Sequence, residues 1–497
     1  MKHRGLAISA IILVLTFGFE GWLHAQEELE HLSPFAHGAG RTYALTSRGL
    51  DAVGLNPSLL ALGTPRPLEI TIAPISSLGI NAGPSLSQIN SVSAGFDSIA
   101  SQYIPPGGTL TTGDSIRESI ANLLANNELS STIDARIFGI SYYTPDLGGF
   151  AFTWTMHAIL EASIPSELLN FIGVNALAKL GQGNALSPQY LNIQALWYSE
   201  YTASYARTLF GAPSSGDVQL LAGVGLKYLS GIAVMQMNPG EFDINDPAQH
   251  PEYSDLQLAE HYIIGVNYQI RSAYPTEFNF TNLPSTISTK LIANATAGNG
   301  FGADLGITLG QFDSAHNSPW ELALSVSDLG SITWNSNVSI RSADTVINPK
   351  TSQSNKDTPN SQLRALGGTL DTAHSFTMPL PTTLHVAAAL DLSQIGLSLP
   401  GAALGIVSEY ALGLTNTVGA PVHGRFGIAA TLEHPSRSLS FHAALGYATQ
   451  DGSSDVTAAF GIGLASRILV DVGTSSLNGL FSKTGHSDAV FGLKVLF

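Results

Sequence analysis

From Val422 to Phe497 the chain is a series of short segments in which apolar residues fall at every second position. Val422, Phe426, Ile428, Ala430 and Leu432 share one side; His423, Arg425, Gly427, Ala429, Thr431 and Glu433 share the other. Leu439, Phe441, Ala443, Leu445 and Tyr447 alternate with Ser440, His442, Ala444 and Gly446. Val456, Ala458, Phe460, Ile462 and Leu464 alternate with Thr457, Ala459, Gly461 and Gly463. Successive side chains of a strand point to opposite faces, so each segment has one oily and one wet face. Alternation over about 10 residues, repeated between turn residues, is the pattern of a transmembrane β-barrel. It also describes a soluble sandwich whose oily face meets a core.

Composition separates the two. Charged residues are 12% of the chain, half of the roughly 25% usual in soluble domains. Glycine is abundant, 50 of 497 residues. Beyond the leader no run of eighteen apolar residues occurs, so helical spans are excluded. Within hydrocarbon, only helices and closed barrels satisfy their backbone groups. The expected fold is therefore all-β: a transmembrane antiparallel β-barrel whose outer face meets outer-membrane lipid. A net charge of −16 argues against nucleic-acid partners. There is no cysteine, hence no disulfide framework, lipid attachment site or thiol-ligated metal.

The start of the chain fits export. Lys2 and Arg4 precede an apolar run, Leu6 to Phe19, and Leu23-His24-Ala25 offers a cleavage site. Residues 1–25 are expected to be a signal peptide, because the run is too short to span a bilayer. Residues 26–66 follow as a polar lead, and 67–497 are expected to form the barrel.

Earlier strands show the same alternation. Phe150, Phe152, Trp154 and Met156 oppose Ala151, Thr153, Thr155 and His157. Leu220, Val224, Leu226 and Tyr228 oppose Gln219, Gly223, Gly225 and Lys227. Trp320 to Ser327 and Ser331 to Ile340 read as two strands. Aromatic residues fall near segment ends, as an interfacial girdle requires. The pattern yields about 14 strands. Asp114 to Ser130 and Ser163 to Leu180 carry apolar residues at helical spacing and read as short helices. Ala343 to Pro381 is polar and long, an expected extracellular loop.

Ahead of the first strand lies Asp51-Ala52-Val53-Gly54-Leu55-Asn56-Pro57-Ser58-Leu59-Leu60, in which Asn-Pro signals a turn. A Gly-rich lead, an Asp-Ala segment and Asn-Pro-small-Leu resemble the N-terminal hatch of the long-chain fatty-acid transporter (FadL) superfamily. That superfamily includes the PorV-like barrels of type IX secretion and an uncharacterised group of exported barrels, to which this chain is most similar. The resemblance implies a plug carrying Asn56 and Pro57, with Ser58 where those families have Ala. It also implies a bacterial outer-membrane location, a small hydrophobic ligand that enters from outside, and a plug that moves to open a path. The C-terminal pattern Phe491, Leu493, Val495, Phe497 resembles the closing strand of outer-membrane barrels, which implies recognition by the barrel-assembly machinery.

Enzyme chemistry finds little support. Gly113-Asp114-Ser115 resembles an esterase nucleophile block, but the serine falls inside a helix candidate and not after a strand. The histidines are scattered, with no metal-ligand spacing beside a carboxylate. Gly298-Asn299-Gly300-Phe301-Gly302 opens a strand and not a helix, so it is no dinucleotide loop. No catalytic residue, metal or cofactor is expected. The reading is passive passage of a small hydrophobic solute; the alternative is a structural or secretion-associated barrel that binds proteins and conducts nothing.

Overall fold

The computed structural model describes residues 32–64, 66–72, 78–83, 129–163, 186–211, 217–245, 263–275, 296–313, 317–347, 368–371, 374–397, 399–421, 423–434, 438–450, 453–481 and 487–497. The expected signal peptide, residues 26–31, and most of the helix candidates Asp114–Ser130 and Ser163–Leu180 lie outside these residues; the described ends of those candidates, Leu129–Ser130 and Ser163, belong to strands.

Every strand pairing is antiparallel, and the sheet closes on itself with 14 positions around the ring, several built from more than one segment. β1 comprises Leu68–Ile72 and Leu78–Gly83. β2 is Leu129–Thr144, β3 Gly148–Ser163, β4 Leu186–Phe210 and β5 Gln219–Asn245. β6 comprises Ile263–Ala273 and Gly298–Gly310, which pair in turn with the far and near halves of β5. β7 comprises Trp320–Trp334 and Ser339–Ile347. β8 comprises Thr369–Asp371, Phe376–Pro379 and Thr383–Asp391. β9 is Ala403–Gly413, β10 Arg425–His434, β11 Leu439–Gln450 and β12 Ser453–Leu464. β13 is Ile468–Thr474 and β14 Ser487–Leu496.

β14 closes the ring. Ile70 of β1 stands opposite Val495, and the backbone N–H of Phe497 donates to Leu68 O at 2.8 Å. Phe491, Leu493 and Val495 lie on the outer face, opposite Val472, Val470 and Ile468 of β13. Phe491 and Phe497 are exposed there.

Two expectations need correction. The strands expected over 320–327 and 331–340 are one strand from Trp320 to Trp334. Asp328 lies between them with φ 58°, and the register against β6 shifts between Ala303 and Leu305. The Asp-Leu-Gly sequence makes a bulge here, not a turn, because Asp tolerates the left-handed region and the ladder resumes beyond it. The expected loop 343–381 is also shortened at both ends, since β7 continues to Ile347 and β8 begins at Thr369.

Outward positions across the bodies of the strands are mostly apolar, with polar residues such as Asn299, Thr333 and Thr377 toward one end. Leu226, Phe301, Leu445 and Phe460 are exposed, and Phe301 is the most exposed at 72%. Trp154, Tyr201, Tyr228 and Phe301 stand directly opposite one another across β3 to β6. Their ring centroids are 5.6, 6.1 and 5.6 Å apart in that order. This row crosses the strand bodies and not their ends, because β3 and β4 extend well past the alternating stretches read from the sequence.

The two ends of the ring differ. One carries short connections such as 145–147, 435–438 and 465–467, with 392–402 the longest. The other carries 84–128, 164–185, 246–262 and 348–368.

Candidate functional site

The lumen is the candidate site, and the N-terminal segment 32–64 occupies it. Its elements are short: helices α1 (Pro34–Gly38) and α2 (Tyr43–Thr46), then 3-10 turns Gly49–Ala52 and Pro57–Leu62. Nearly every residue of it is buried. Small inward residues of the wall admit it. A Cβ on Gly427 would collide with the carbonyl oxygen of Gly40, and one on Gly306 with the Asn56 side chain. The inward Ala429, Ala444 and Ala459 join Ala39, Leu45, Leu50 and Leu59 in one apolar cluster.

Asn56-Pro57-Ser58 sits against β6. The Asn56 side chain caps the turn that begins at Pro57: its Oδ1 accepts from Ser58 N–H at 3.3 Å and from Ser58 Oγ at 2.6 Å. Proline at the first position suits such a turn, having no N–H to leave unpaired. Asn56 Nδ2 then donates to Ala44 O at 2.8 Å and to Thr308 Oγ1 at 3.1 Å. Ser58 Oγ lies 2.7 Å from the same Thr308 hydroxyl. The triplet thus opens one turn, ties it back to α2 and docks both on the wall. The serine adds a bond that an alanine in its place could not make.

Further contacts hold the segment around the ring. His37 Nε2 lies 3.0 Å from Asp488 Oδ2, while its Nδ1 lies 2.7 Å from the Tyr43 hydroxyl. Thr457 Oγ1 accepts from Gly40 N–H and donates to Gly38 O, both at 2.8 Å. Glu409 accepts from Ala44 N–H at 2.7 Å and pairs with Arg425 at 3.1 Å. Both Nη2 contacts from Arg48 to the Glu321 carboxylate are 3.0 Å. Asp51 is bound by two wall cations: Arg136 at 3.0 Å and Lys494 at 2.5 Å. Glu69, beside them, accepts from Leu50 N–H at 3.0 Å.

The sequence reading missed these partners. Their signal was present, since Lys494, Lys227, Glu409 and Arg425 are charges at wet-face positions of alternating segments in a chain with few charges. What it could not supply was the pairing, as Asp51 and Lys494 are 443 positions apart.

A cavity of about 480 Å³ lies toward the short-connection end, lined by Phe35, Arg48 and Asp51 of the segment and by Glu321, Glu433 and His442 of the wall, among others. On the side of β3 to β7 the lumen is layered. Lowest are Pro57–Leu62, against Gly149 and Gly223. Next comes a charged layer in which Lys227 Nζ meets Glu200 at 3.2 Å, Asp304 at 3.0 Å and Asp328 at 2.7 Å. Above it, Tyr198, Leu229, Ile332, Trp334 and Leu380 form an apolar layer that also takes in Val418 of the β9–β10 connection. Among the described residues no group of three or more His, Cys, Asp or Glu converges as a metal shell would.

Comparison with known proteins places this barrel. A family of unknown function, DUF5723, matches residues 71–480. The chain belongs to this family. Membership agrees with the expected place in a barrel group of no assigned activity, and the match spans almost the whole ring of this DUF5723 protein. No curated protein matches it. Among solved structures, it is similar to the TodX deltaS2S3 mutant monoaromatic hydrocarbon channel at 10% identity. That match covers 92% of this chain and 99% of the other, with a TM-score of 0.41. It is also similar to a Pseudomonas aeruginosa FadL homologue at 10% identity, over 95% of this chain and 98% of the other, with a TM-score of 0.43.

Proposed function

We propose that this protein is a bacterial outer-membrane barrel through which a small hydrophobic solute passes, with residues 26–66 as a movable plug. The carrying observation is the combination of an apolar exterior on a closed ring with an N-terminal segment seated in its lumen. A closed ring leaves no backbone edge to satisfy, which is what hydrocarbon demands. The segment joins the wall through side-chain contacts at separate points and not through a strand ladder. Such contacts can break one after another while the ring stays intact. The cavity below the segment gives a solute a place to stand, and the apolar layer gives an oily one a surface to slide along.

A second reading is a structural or secretion-associated barrel that binds proteins and conducts nothing. One observation favours it: the plug, the charged layer and the apolar layer together fill the β3–β7 side of the lumen. Planar-bilayer recording distinguishes the two. Passage predicts measurable conductance from the full-length protein, raised severalfold by Asp51→Asn, together with faster uptake of a small apolar solute by cells that carry the protein. Silence from both proteins, with co-purification of secretion components, selects the second reading.

A further inference from the structure

The charged layer between plug and apolar layer has more negative groups than its cations balance. Glu200, Asp304 and Asp328 surround the single ammonium of Lys227. Asp134 adds a fourth carboxylate, 2.5 Å from His157 Nδ1, and the other nitrogen of that ring stands 4.0 Å from Glu200. All four carboxylates are buried on inward positions of β2, β4, β6 and β7. Their cover on the lumen side is the plug itself, through Leu32 and Val53–Leu55, which enclose a space of about 30 Å³ against Glu200, Lys227 and Asp328. The hydroxyl of Tyr198 belongs to the same space. It is fully buried, its ring stacks on His157 at 4.8 Å, and it meets no hydrogen-bond partner among the described residues. A polar hydroxyl left bare beside so small a void is what a water or small cation would complete, since about 10–15 Å³ suffices for one water.

The same excess holds for the whole wall. Among the described residues, the strands bury ten carboxylates and four Lys or Arg side chains. A lumen lined by one sign of charge, with low-dielectric walls, concentrates counter-ions and repels ions of its own sign. Rings of acidic side chains act in this way in cation channels.

We propose that this layer sets the charge of what can cross: uncharged and cationic solutes are admitted, and anions, carboxylates included, are turned back. The inference rests on the passage reading and narrows its solute. The acids act through their potential and not as a metal shell, for Lys227 occupies the position where their oxygens converge.

The test uses the full-length protein in planar bilayers under a potassium chloride gradient, with the wild type and Asp51→Asn side by side. The expected reversal potential lies toward the potassium equilibrium value. Glu200→Gln, Asp304→Asn and Asp328→Asn, made singly and checked for the heat-dependent gel mobility of a folded barrel, should each move it toward zero. Liposome swelling then compares benzylamine, benzyl alcohol and benzoate, which are alike in size and differ in charge; only benzoate should be slow. Conductance with anion preference or no preference in the wild type overturns the inference and leaves passage standing. So does equal entry of benzoate. Absence of any conductance or swelling from both wild type and Asp51→Asn overturns passage itself.

Discussion

At the scale of single residues, the plug depends on a few buried polar groups whose partners are far away in sequence. Asp51 is the most exacting. Removing its charge leaves Arg136 and Lys494 without their closest carboxylate, with Glu69 3.9 Å from Lys494, and breaking a buried pair costs about 3–5 kcal/mol. That cost falls on the seated state of the plug and not on the strand ladder. Asp51→Asn should therefore make residues 32–64 accessible to protease while the barrel keeps its folded gel mobility. Loss of the barrel itself would show that the plug is part of the folding core. Ser58→Ala is the mild counterpart. It deletes the hydroxyl's bonds to Asn56 and Thr308, each worth about 1 kcal/mol, and leaves the Asn56 contacts to Ala44 and Thr308 in place. Asn56→Ala removes the cap together with the bonds to Ala44 and Thr308, so protease sensitivity should rank Asn56→Ala above Ser58→Ala. Equal sensitivity would sink the docking role given to the asparagine.

At the scale of elements, the short turns of the plug and the small inward residues of the wall are two halves of one fit. Gly427 lets α1's following residues lie directly on β10, with Gly40 against its backbone. Gly427→Val should unseat the plug without harming β10, because strands accept valine readily. Raised conductance with an unchanged thermal midpoint of the barrel would be the result; a lowered midpoint with unchanged conductance would refute the fit. The C-terminal strand is different in kind. Its outer residues Phe491, Leu493 and Val495 face away from the lumen, so their proposed recognition by assembly machinery is independent of the plug. Phe497→Ser should lower the amount of barrel in the outer membrane of cells and leave refolding in detergent unchanged. The sequence showed the faces of these elements well and their extents poorly. β4 and β5, with 25 and 27 residues, far outrun the alternation that revealed them. Their far halves pair chiefly with each other, and that of β5 pairs also with the Ile263–Ala273 segment of β6, contacts that a local pattern does not show.

At the scale of the whole molecule, the wall has two heights. β9 to β12 and β14 have 10 to 12 residues, close to the 9–11 that cross a bilayer at a tilt. β4 and β5 exceed that by more than a factor of two and rise past it toward the long-connection end. The proposed surroundings of the ring can be checked on its short side. Leu445 is 60% exposed on the outer face of β11. In water, Leu445→Arg at so open a position would be nearly neutral. In hydrocarbon it should lower the unfolding free energy measured in lipid vesicles by about 2–4 kcal/mol, the usual cost of a cation near the bilayer midplane. A neutral result there would refute the lipid-facing assignment for the entire ring.

The sequence by itself determined the class of this protein and the side on which each residue of a strand lies. A period of two fixes faces locally, and repeated alternation in a chain poor in charge pointed to a closed β-barrel. It marked Asn56-Pro57 as a turn, because proline and a capping side chain act within three residues. Only the tertiary structure decided what lies within the ring: which wall residues receive Asp51, that Asp328 bends a strand without ending it, and that the inward glycines lie against the N-terminal segment 32–64. Those outcomes depend on contacts between residues hundreds of positions apart, and a local pattern carries no trace of them.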